Sequence, residues 1–347
     1  MMSDPKKNFC RICGSKIKTI LNLGNTPLAN SLVSNMNSYE EKYELHLQHC
    51  EVCKNFQLSK CLDNTTLYKE YLYETPNSIM LDNHYNNILS FFSEKEYLKP
   101  ESHCLEIGCN KGQLLEKISK IVKTKPVGVD PAENILNKNS SKNINFEIDF
   151  FNEESAKMLV NKYGKFDFII ARHCFAHNER PQDILKGLKT SLTDDGYFII
   201  ENAYTLNTIL NGEFDQIYHE HMYLYTINSL NSLLNQFNYE IINSNIAPVH
   251  GGSIIAVCAQ KGKYSISHGH KIQEKIENIM LTPDRIESFV KQVENTIDGL
   301  KEIVKAIKEE KKSIYCYGAT AKGNTLLNSC NFTSKEIDYC IDNTEIK

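Results

Sequence analysis

The segment Tyr218-His219-Glu220-His221 places three ionisable side chains next to one another behind a tyrosine. Because buried charges need partners, such a run is a poor core segment, although a single histidine is more often a buried, hydrogen-bonded residue. A histidine with an ordinary pKa of about 6.5 can act as a general base near neutral pH, and a neighbouring carboxylate or tyrosine can orient its ring. We therefore predict that His221 and Glu220 act together as a general base. Tyr218 is predicted to donate a hydrogen bond to a developing oxyanion or to position the substrate. The side chain of His219 should diverge from its neighbours, so we expect a structural role for it.

Four cysteines form two closely spaced pairs, Cys10-x-x-Cys13 and Cys50-x-x-Cys53. Each pair can present two thiolates to one zinc ion, and the repeated spacing argues against four unrelated cysteines. With four protein ligands and no open position, the predicted Zn²⁺ site is structural rather than catalytic. A nucleic-acid-binding ribbon is the alternative, but acidic residues stand beside the few lysines that would contact phosphate. These residues are Glu40, Glu41, Glu44 and Glu51.

A glycine-containing loop, residues 105–112, follows an apolar strand and precedes a helix. Gly108 and Gly112 let the backbone approach a ligand closely, and the helix N-terminus offers free amides. About twenty residues later, Asp130 ends the next strand, where it can accept hydrogen bonds from ribose hydroxyls. Asn110 stands where a dinucleotide-binding fingerprint has its second glycine, which favours a cofactor without pyrophosphate.

The acidic Glu106 before the first glycine complements a cationic cofactor, because a carboxylate attracts a sulfonium or an ammonium group. We therefore predict S-adenosyl-L-methionine as the cofactor, with a nicotinamide dinucleotide as the disfavoured alternative. Asp149 and Phe151 follow the next strand, so either is a candidate contact for adenine, and an ordinary loop is the alternative. A second turn of this kind lies at 317–323 with Asp342 after the following strand, but it lacks a complete dinucleotide fingerprint.

These residues require a scaffold in which strands and helices alternate, which indicates a parallel, doubly wound sheet. Its predicted strands are 102–108, 127–130, 166–171 and 196–202. Segments 239–246 and 253–260 are predicted to close the sheet as an antiparallel hairpin. A charged helix with an apolar stripe is predicted at 284–312, as a connector or, alternatively, a coiled-coil dimer helix. Two further strands, 313–319 and 337–342, should flank a last helix.

The composition excludes several classes of function. A net charge of −4 and a pI near 6.3 give no broad positive field for nucleic acid or anionic lipid. No apolar run reaches the roughly 18 residues of a membrane span, and the first residues lack the apolar core of a signal peptide. We therefore expect a cytoplasmic protein with neither nucleic-acid nor membrane partners. The oligomeric state stays open.

Taken together, the motifs resemble those of the sugar C-methyltransferases of deoxysugar biosynthesis. The resemblance extends over the whole chain. Its marks are Cys10-x-x-Cys13, 25–30, Cys50-x-x-Cys53, 71–73, Glu106-x-Gly108, 171–173, His177, 218–221, 250–253 and 317–323.

The resemblance implies an α/β chain with three parts: an N-terminal zinc-binding module (1–66), a class I methyltransferase Rossmann-like domain (67–265), and a connecting helix with an incomplete C-terminal Rossmann-like domain (266–347). It also implies the reaction, which is S-adenosylmethionine-dependent methylation of a carbon next to the ketone of a nucleotide-linked 4-keto sugar. The C-terminal domain would help to hold this nucleotide-linked keto sugar.

The same resemblance suggests roles for the site residues. A proton alpha to a ketone can be removed if a base lies close and the enolate oxygen is stabilised, which makes His221, assisted by Glu220, the expected base. Tyr73, His177 and Tyr218 are the expected donors to the oxyanion or positioning groups for the substrate.

The chain departs from the family pattern at three places. Residues 74–78 replace a segment in which the family more often has a serine pair, and Ile255 stands where arginine is frequent. These two departures concern the substrate and leave open O- or N-methylation of another acceptor, or a non-catalytic, zinc-containing cofactor-binding module. The third is that the chain stops at Lys347, which we interpret as a truncated or incomplete last domain.

Overall fold

The computed structural model describes residues 8–33, 35, 38–68, 74–76, 78–137 and 141–342. In chain order its elements are β1 (Lys18–Pro27), β2 (Lys42–His49), β3 (Phe56–Leu58), α1 (Asn64–Tyr68), α2 (Ile79–Glu94), β4 (Cys104–Ile107), α3 (Gln113–Ile118), β5 (Val127–Asp130), α4 (Glu133–Leu136), β6 (Asn145–Ile148), α5 (Glu153–Tyr163), β7 (Phe166–Arg172), α6 (Pro181–Ser191), β8 (Leu192–Ala203), α7 (Thr205–Asn211), β9 (Tyr223–Leu224), α8 (Ile227–Asn235), β10 (Tyr239–Ala247), β11 (Ser253–Gln260), α9 (His268–Met280), α10 (Pro283–Glu309), β12 (Tyr315–Tyr317), α11 (Ala321–Ser329) and β13 (Tyr339–Ile341). Short 3-10 turns lie at Phe175–His177 and Phe214–Gln216.

A mixed sheet of seven strands has the order β10-β11-β8-β7-β4-β5-β6. Strands β4 to β8 run parallel, whereas β11 is antiparallel to both β8 and β10. Every residue of β4 and β5 is buried, as expected for central parallel strands covered by helices on both faces. The predicted doubly wound sheet and its closing hairpin are confirmed, and the sheet is that of a class I methyltransferase fold.

Local hydrogen bonds set one end of each of two helices. The Ser78 hydroxyl caps the start of α2, accepting a hydrogen bond from the Leu81 amide at 3.1 Å. Helix α3 ends at Ile118. There the chain tightens into 3-10 geometry, with the Ile121 amide donating to the Ile118 carbonyl at 2.8 Å.

An antiparallel sheet of order β1-β2-β3-β9 forms the N-terminal part. Its last strand does not come from the N-terminal segment. Strand β9 follows His221 directly and pairs with β3, with Gln57 opposite Tyr223 and Phe56 opposite Leu224. The sequence did not reveal this pairing, because a strand of two residues carries no periodic signal.

The C-terminal part begins with α9 and α10. The Thr282 hydroxyl caps α10, which starts at Pro283, and the buried residues Ile286, Phe289 and Val293 belong to its apolar stripe. The helix contacts α7 and β1, so the stripe packs within the chain. Strands β12 and β13 pair in parallel and flank α11, as predicted. Within the described ranges, no helix has the length and apolarity needed to cross a membrane.

Candidate active site

A cavity of about 430 Å³ opens at the carboxyl ends of β4, β5 and β7, the edge where open α/β sheets bind ligands. Neither Glu106 nor Gly112 is among the described residues that line it, and Tyr73 lies outside the described residues. The predicted residues that do line the cavity are Gly108, Asn110, Asp130, Phe151, His177, Tyr218, Glu220 and His221. The structure therefore brings the cofactor loop and most of the predicted proton-transfer residues to one place.

Backbone hydrogen bonds hold the loop after β4 against the end of β5. The Gly108 amide donates to the Val129 carbonyl, and the Asn110 amide donates to Asp130 Oδ2, both at 2.8 Å. Gly108 has a φ of 69°, and a Cβ there would lie 2.7 Å from the Cβ of Cys174. Both its conformation and its close packing therefore require glycine.

Asp130 accepts a backbone amide on each carboxylate oxygen, from Asn110 on Oδ2 and from Ala132 on Oδ1 at 2.9 Å. Burial raises its pKa, although both hydrogen bonds oppose the shift. Each oxygen has further acceptor capacity, so the carboxylate can also bind ribose hydroxyls. Phe151 and Asp149 line the same cavity beyond the end of β6, where an adenine ring would lie. The described residues fit an adenosyl group.

Gly112 is required by local packing. A Cβ at this position would lie 2.8 Å from Cζ of Phe146. Its φ of 70° is also a conformation that glycine adopts most readily. The predicted cofactor contact of Gly112 stays a prediction, and in the structure this glycine lets Phe146 pack closely against the loop.

Glu106 is buried in β4 and forms an ion pair with Arg172 at the end of β7, with Oε1 3.2 Å from Nε. Arg172, and not Glu106, lines the cavity, so the predicted contact of Glu106 with a cationic cofactor stays a prediction. Burial raises the pKa of Glu106 to about 7, against the opposing effect of the guanidinium.

A second buried acid, Glu201 of β8, belongs to the same cluster. Its Oε1 lies 2.6 Å from Nε2 of His84, and its Oε2 lies 3.8 Å from Nη1 of Arg172. Burial opposes its ionisation, but hydrogen bonds with His173 and His84 outweigh burial and hold its pKa well below the usual range. The sequence alone does not reveal this cluster. Two acids within apolar strands, Glu106 and Glu201, are the signal that could have indicated it. Buried carboxylates need a cation, so such acids predict a buried ion pair.

His221 is fixed at the cavity by two hydrogen bonds. Its Nδ1 lies 2.7 Å from the Gln216 carbonyl, and since a carbonyl only accepts, Nδ1 carries the proton. Its Nε2 is therefore unprotonated and accepts from the Tyr218 hydroxyl at 2.7 Å. Burial, reinforced by the nearby His177, lowers the pKa of His221 well below its ordinary value, so the ring is neutral.

The two residues before His221 contact other groups. Glu220 accepts a hydrogen bond from Asn30 Nδ2 at 2.5 Å and is not among the hydrogen-bond partners of His221 in the described part of the chain. Of the two groups expected to orient the ring of His221, the tyrosine is therefore the one that hydrogen-bonds it. His219 lies against Tyr43, with Nε2 3.3 Å from the Tyr43 carbonyl, and so diverges as expected.

Besides His84 and His221, three more histidines line the cavity. The ring of His177 lies 5.0 Å from that of His221, and burial lowers its pKa to about 3, so it is neutral. The rings of His173 and His250 are 4.3 Å apart. Both residues have positive φ, 48° and 52°, a conformation that non-glycine residues rarely adopt and that often marks functional sites.

The turn before α11 also reaches the cavity, through residues 320–322. This turn repeats the geometry of the cofactor loop. The Gly318 amide donates to the Ile341 carbonyl at 2.7 Å, and the Ala319 amide donates to Asp342 Oδ2 at 2.8 Å. Two glycine turns, each followed by an acid at the end of the next strand, therefore border the same cavity.

The four cysteines of the two pairs converge, with all Sγ atoms within 4.8 Å of one another. Cys10 lies 3.5 Å from Cys53, and Cys13 lies 3.5 Å from Cys50. Sulfur atoms bonded tetrahedrally to zinc at about 2.3 Å lie roughly 3.8 Å apart, so the set fits one zinc ion with no open position. In the described ranges it is the only group of three or more potential ligands that could hold a metal.

Arg11, inside the first cysteine pair, links the zinc module to the segment that carries His221. Its Nη2 donates to the Met222 carbonyl at 3.2 Å, and its Nε donates to the Tyr223 hydroxyl at 3.1 Å. The guanidinium also lies 5.0 Å from the Tyr223 ring centroid. The metal module therefore fixes the chain immediately after His221.

Three family models match consecutive parts of the chain: "Putative zinc binding domain" at 10–68, "Methyltransferase domain" at 81–244 and "C-methyltransferase C-terminal domain" at 248–347. The C-methyltransferase NovU of Streptomyces niveus is 26% identical over 350 residues, covering 97% of this chain and 82% of that protein.

Solved structures of methyltransferases are also similar. One from Anabaena variabilis, a SAM-dependent methyltransferase, has 14% identity and a TM-score of 0.41, covering 58% of this chain and all (100%) of that one. Magnesium protoporphyrin IX methyltransferase from Synechocystis, with bound SAH, has 13% identity and a TM-score of 0.40, covering 55% and 90%.

Proposed function

We propose that this chain, an S-adenosylmethionine-dependent methyltransferase with a structural zinc site, methylates a carbon next to the ketone of a nucleotide-linked 4-keto deoxysugar. The observation that carries the proposal is the Tyr218–His221 pair. It presents a neutral, oriented base in the same cavity as the loop that fits the cofactor. Methylation of oxygen or nitrogen does not require the removal of a carbon-bound proton, whereas carbon methylation does.

The acceptor class is supported by the similarity along the chain. NovU is described as a C-methyltransferase, and the model that matches 248–347 is that of a C-methyltransferase C-terminal domain. The repeated glycine turn supports a nucleotide-linked acceptor, because such turns bind nucleotides through backbone amides. Lys322 of this turn lines the cavity, where its ammonium group suits a phosphate.

Proton removal follows from the tautomer of His221. The Tyr218 oxygen accepts the proton alpha to the ketone while its own proton passes to Nε2 of His221 across 2.7 Å. The electron pair of the broken C–H bond forms a C=C bond, and the π pair of the carbonyl moves to its oxygen, which gives an enolate. The Gln216 carbonyl holds the Nδ1 proton and stabilises the imidazolium that results.

The developing oxyanion needs a donor. His177 lines the cavity as a neutral ring, so one ring nitrogen carries a proton that it can donate to the enolate oxygen. Tyr73 is proposed as a second donor from the sequence alone. When bound, S-adenosylmethionine supplies the electrophilic methyl group. Asp130 would hold its ribose, Gly108 and Asn110 would border the cofactor, and Phe151 would contact adenine.

The test is a comparison of matched acceptors. Incubation with methyl-labelled S-adenosylmethionine and a panel of nucleotide-linked 4-keto sugars should give products with a new C–C bond, identified by mass spectrometry and NMR. The same nucleotide sugars with a 4-hydroxyl group should give none, because their carbon-bound protons are not acidic. Label on oxygen or nitrogen, or equal methylation of the hydroxyl controls, would overturn the proposal.

A further inference from the structure

The residues lining the cavity follow the order of the sheet edge. Asp149 and Phe151 lie beyond β6, Asp130 ends β5, Gly108 follows β4 and Arg172 ends β7, and these four strands are consecutive neighbours. Neighbouring strands are about 4.8 Å apart, so three spacings extend over about 14 Å. If adenine lies at Phe151 and ribose at Asp130, the amino-acid end of the cofactor lies over β4 and β7.

Arg172 is the cation at this end of the cavity. Its side chain is 12% exposed, its Nε pairs with Glu106, and its Nη2 donates to the Tyr85 hydroxyl at 3.2 Å. The remaining nitrogen, Nη1, makes no hydrogen bond within the part of the chain that the structure describes, since Glu201 Oε2 lies 3.8 Å away. The guanidinium is thus held by Glu106 and Tyr85, and Nη1, which faces Glu201 at more than hydrogen-bond distance, keeps its donor capacity for an anion.

The methionyl part of S-adenosylmethionine has one anionic group, its carboxylate. We infer that Arg172 binds this carboxylate and that Glu106 acts on the cofactor only through Arg172, as a positioning residue. The inference rests on the cofactor and on the placement of its adenosyl group proposed above, and is independent of the acceptor. The sequence suggested that Glu106 itself contacts a cationic group of the cofactor. In this inference Glu106 orients Arg172, and Arg172 binds the anionic group of the cofactor.

Binding of three ligands distinguishes the contribution of the carboxylate from that of the rest of the cofactor. S-adenosylhomocysteine has both carboxylate and ammonium groups, its decarboxylated analogue keeps only the ammonium group, and 5′-methylthioadenosine has neither. Calorimetry on Arg172→Gln should show a roughly 10- to 100-fold loss of affinity for S-adenosylhomocysteine, as for the loss of a charged hydrogen-bond partner, with little change for the two others. Arg172→Lys keeps the charge but not the two parallel N–H donors of the guanidinium. Its affinity for S-adenosylhomocysteine should lie between those of the unmodified protein and Arg172→Gln.

Controls keep the result interpretable. Arg180→Gln removes an exposed arginine, 68% accessible, and should leave all three affinities unchanged. If Arg172→Gln does not fold because it leaves buried acids unpaired, Glu106→Gln/Arg172→Gln removes both charges of the pair and should show the same pattern. Glu106→Gln alone should lower the affinity for S-adenosylhomocysteine by a smaller factor and leave the affinity for the decarboxylated analogue unchanged.

Two outcomes would overturn the inference. An equal loss for all three ligands would mean that Arg172 only supports the shape of the cavity, and no loss for S-adenosylhomocysteine would mean that the carboxylate lies elsewhere. Failure of the unmodified protein to bind any of the three would overturn the cofactor assignment as well. Failure of the acceptor test, with the binding pattern intact, would leave this inference standing.

Discussion

Replacing Tyr218 by phenylalanine tests whether the proton reaches His221 through the tyrosine hydroxyl. The substitution keeps the ring and removes one oxygen atom, which donates to Nε2 of His221 at 2.7 Å. In the proposed relay this oxygen contacts the substrate proton and Nε2 does not. Tyr218→Phe should therefore retain cofactor binding and lose proton abstraction.

The size of the effect follows from the geometry. Proton transfer requires heavy atoms about 2.6–3.2 Å apart, and Nε2 stands one hydrogen bond of 2.7 Å further from the substrate than the Tyr218 oxygen. Without the relay the general base is out of reach, which removes its whole contribution of about 10²–10⁴-fold, or roughly 3–5 kcal/mol of barrier. His221→Asn should cost a similar factor, and the double variant should fall little further, because both residues serve one transfer.

The assay follows exchange of the substrate alpha proton in deuterated water by NMR, together with methyl transfer. Tyr225→Phe is the matched control: its hydroxyl is buried and has no hydrogen-bond partner in the described residues, and Tyr225 does not line the cavity. This control should exchange and methylate like the unmodified protein. If Tyr218→Phe exchanges at the unmodified rate while His221→Asn does not, His221 contacts the substrate directly and the relay is wrong. If neither variant changes the rate, the base lies elsewhere, and His177 is the next candidate.

Asp130→Ala should weaken S-adenosylhomocysteine and 5′-methylthioadenosine alike, by about 1–3 kcal/mol in calorimetry, because both ligands carry the ribose; unchanged affinity in a folded variant would exclude Asp130 from the site. Elemental analysis should find one zinc per chain. Removing the zinc with a chelator under reducing conditions should lower the methyl-transfer rate by a larger factor than the cofactor affinity, since the module holds the segment after His221. A metal-free protein with full activity would contradict this. Because the pKa of His177 falls from 6.5 to about 3 on folding, the unfolded chain binds more protons between these values, so stability decreases as pH falls below 6.5. By about pH 5.5 this contribution is about 1.4 kcal/mol, and urea unfolding of His177→Asn near pH 7.5 and 5.5 should show a pH dependence smaller by that amount.

The features that the sequence predicted correctly are those encoded within a short segment. The strand, loop and acid around Gly108 and Asp130 can be read from about twenty-five neighbouring residues, because the glycine, the helix start and the strand end all leave local signals. The cysteine pairs are equally local. The partners of Glu106 and His221 could not be read in this way, since Arg172 comes from a distant strand and the Gln216 carbonyl is a backbone group set by a 3-10 turn.

The tolerance of three ionisable residues in a row is explained by the zinc module. His219 and Glu220 are both buried, and each finds its partner there, in the Tyr43 carbonyl and the Asn30 amide. Strand β9, which follows, completes the sheet of the module, so the backbone on the far side of His221 is fixed as well. Tyr218 and His221 pair with each other at the cavity. The zinc module therefore stabilises a segment that would be unstable in a core, and in the proposed mechanism it thereby orients the two proton-transfer groups.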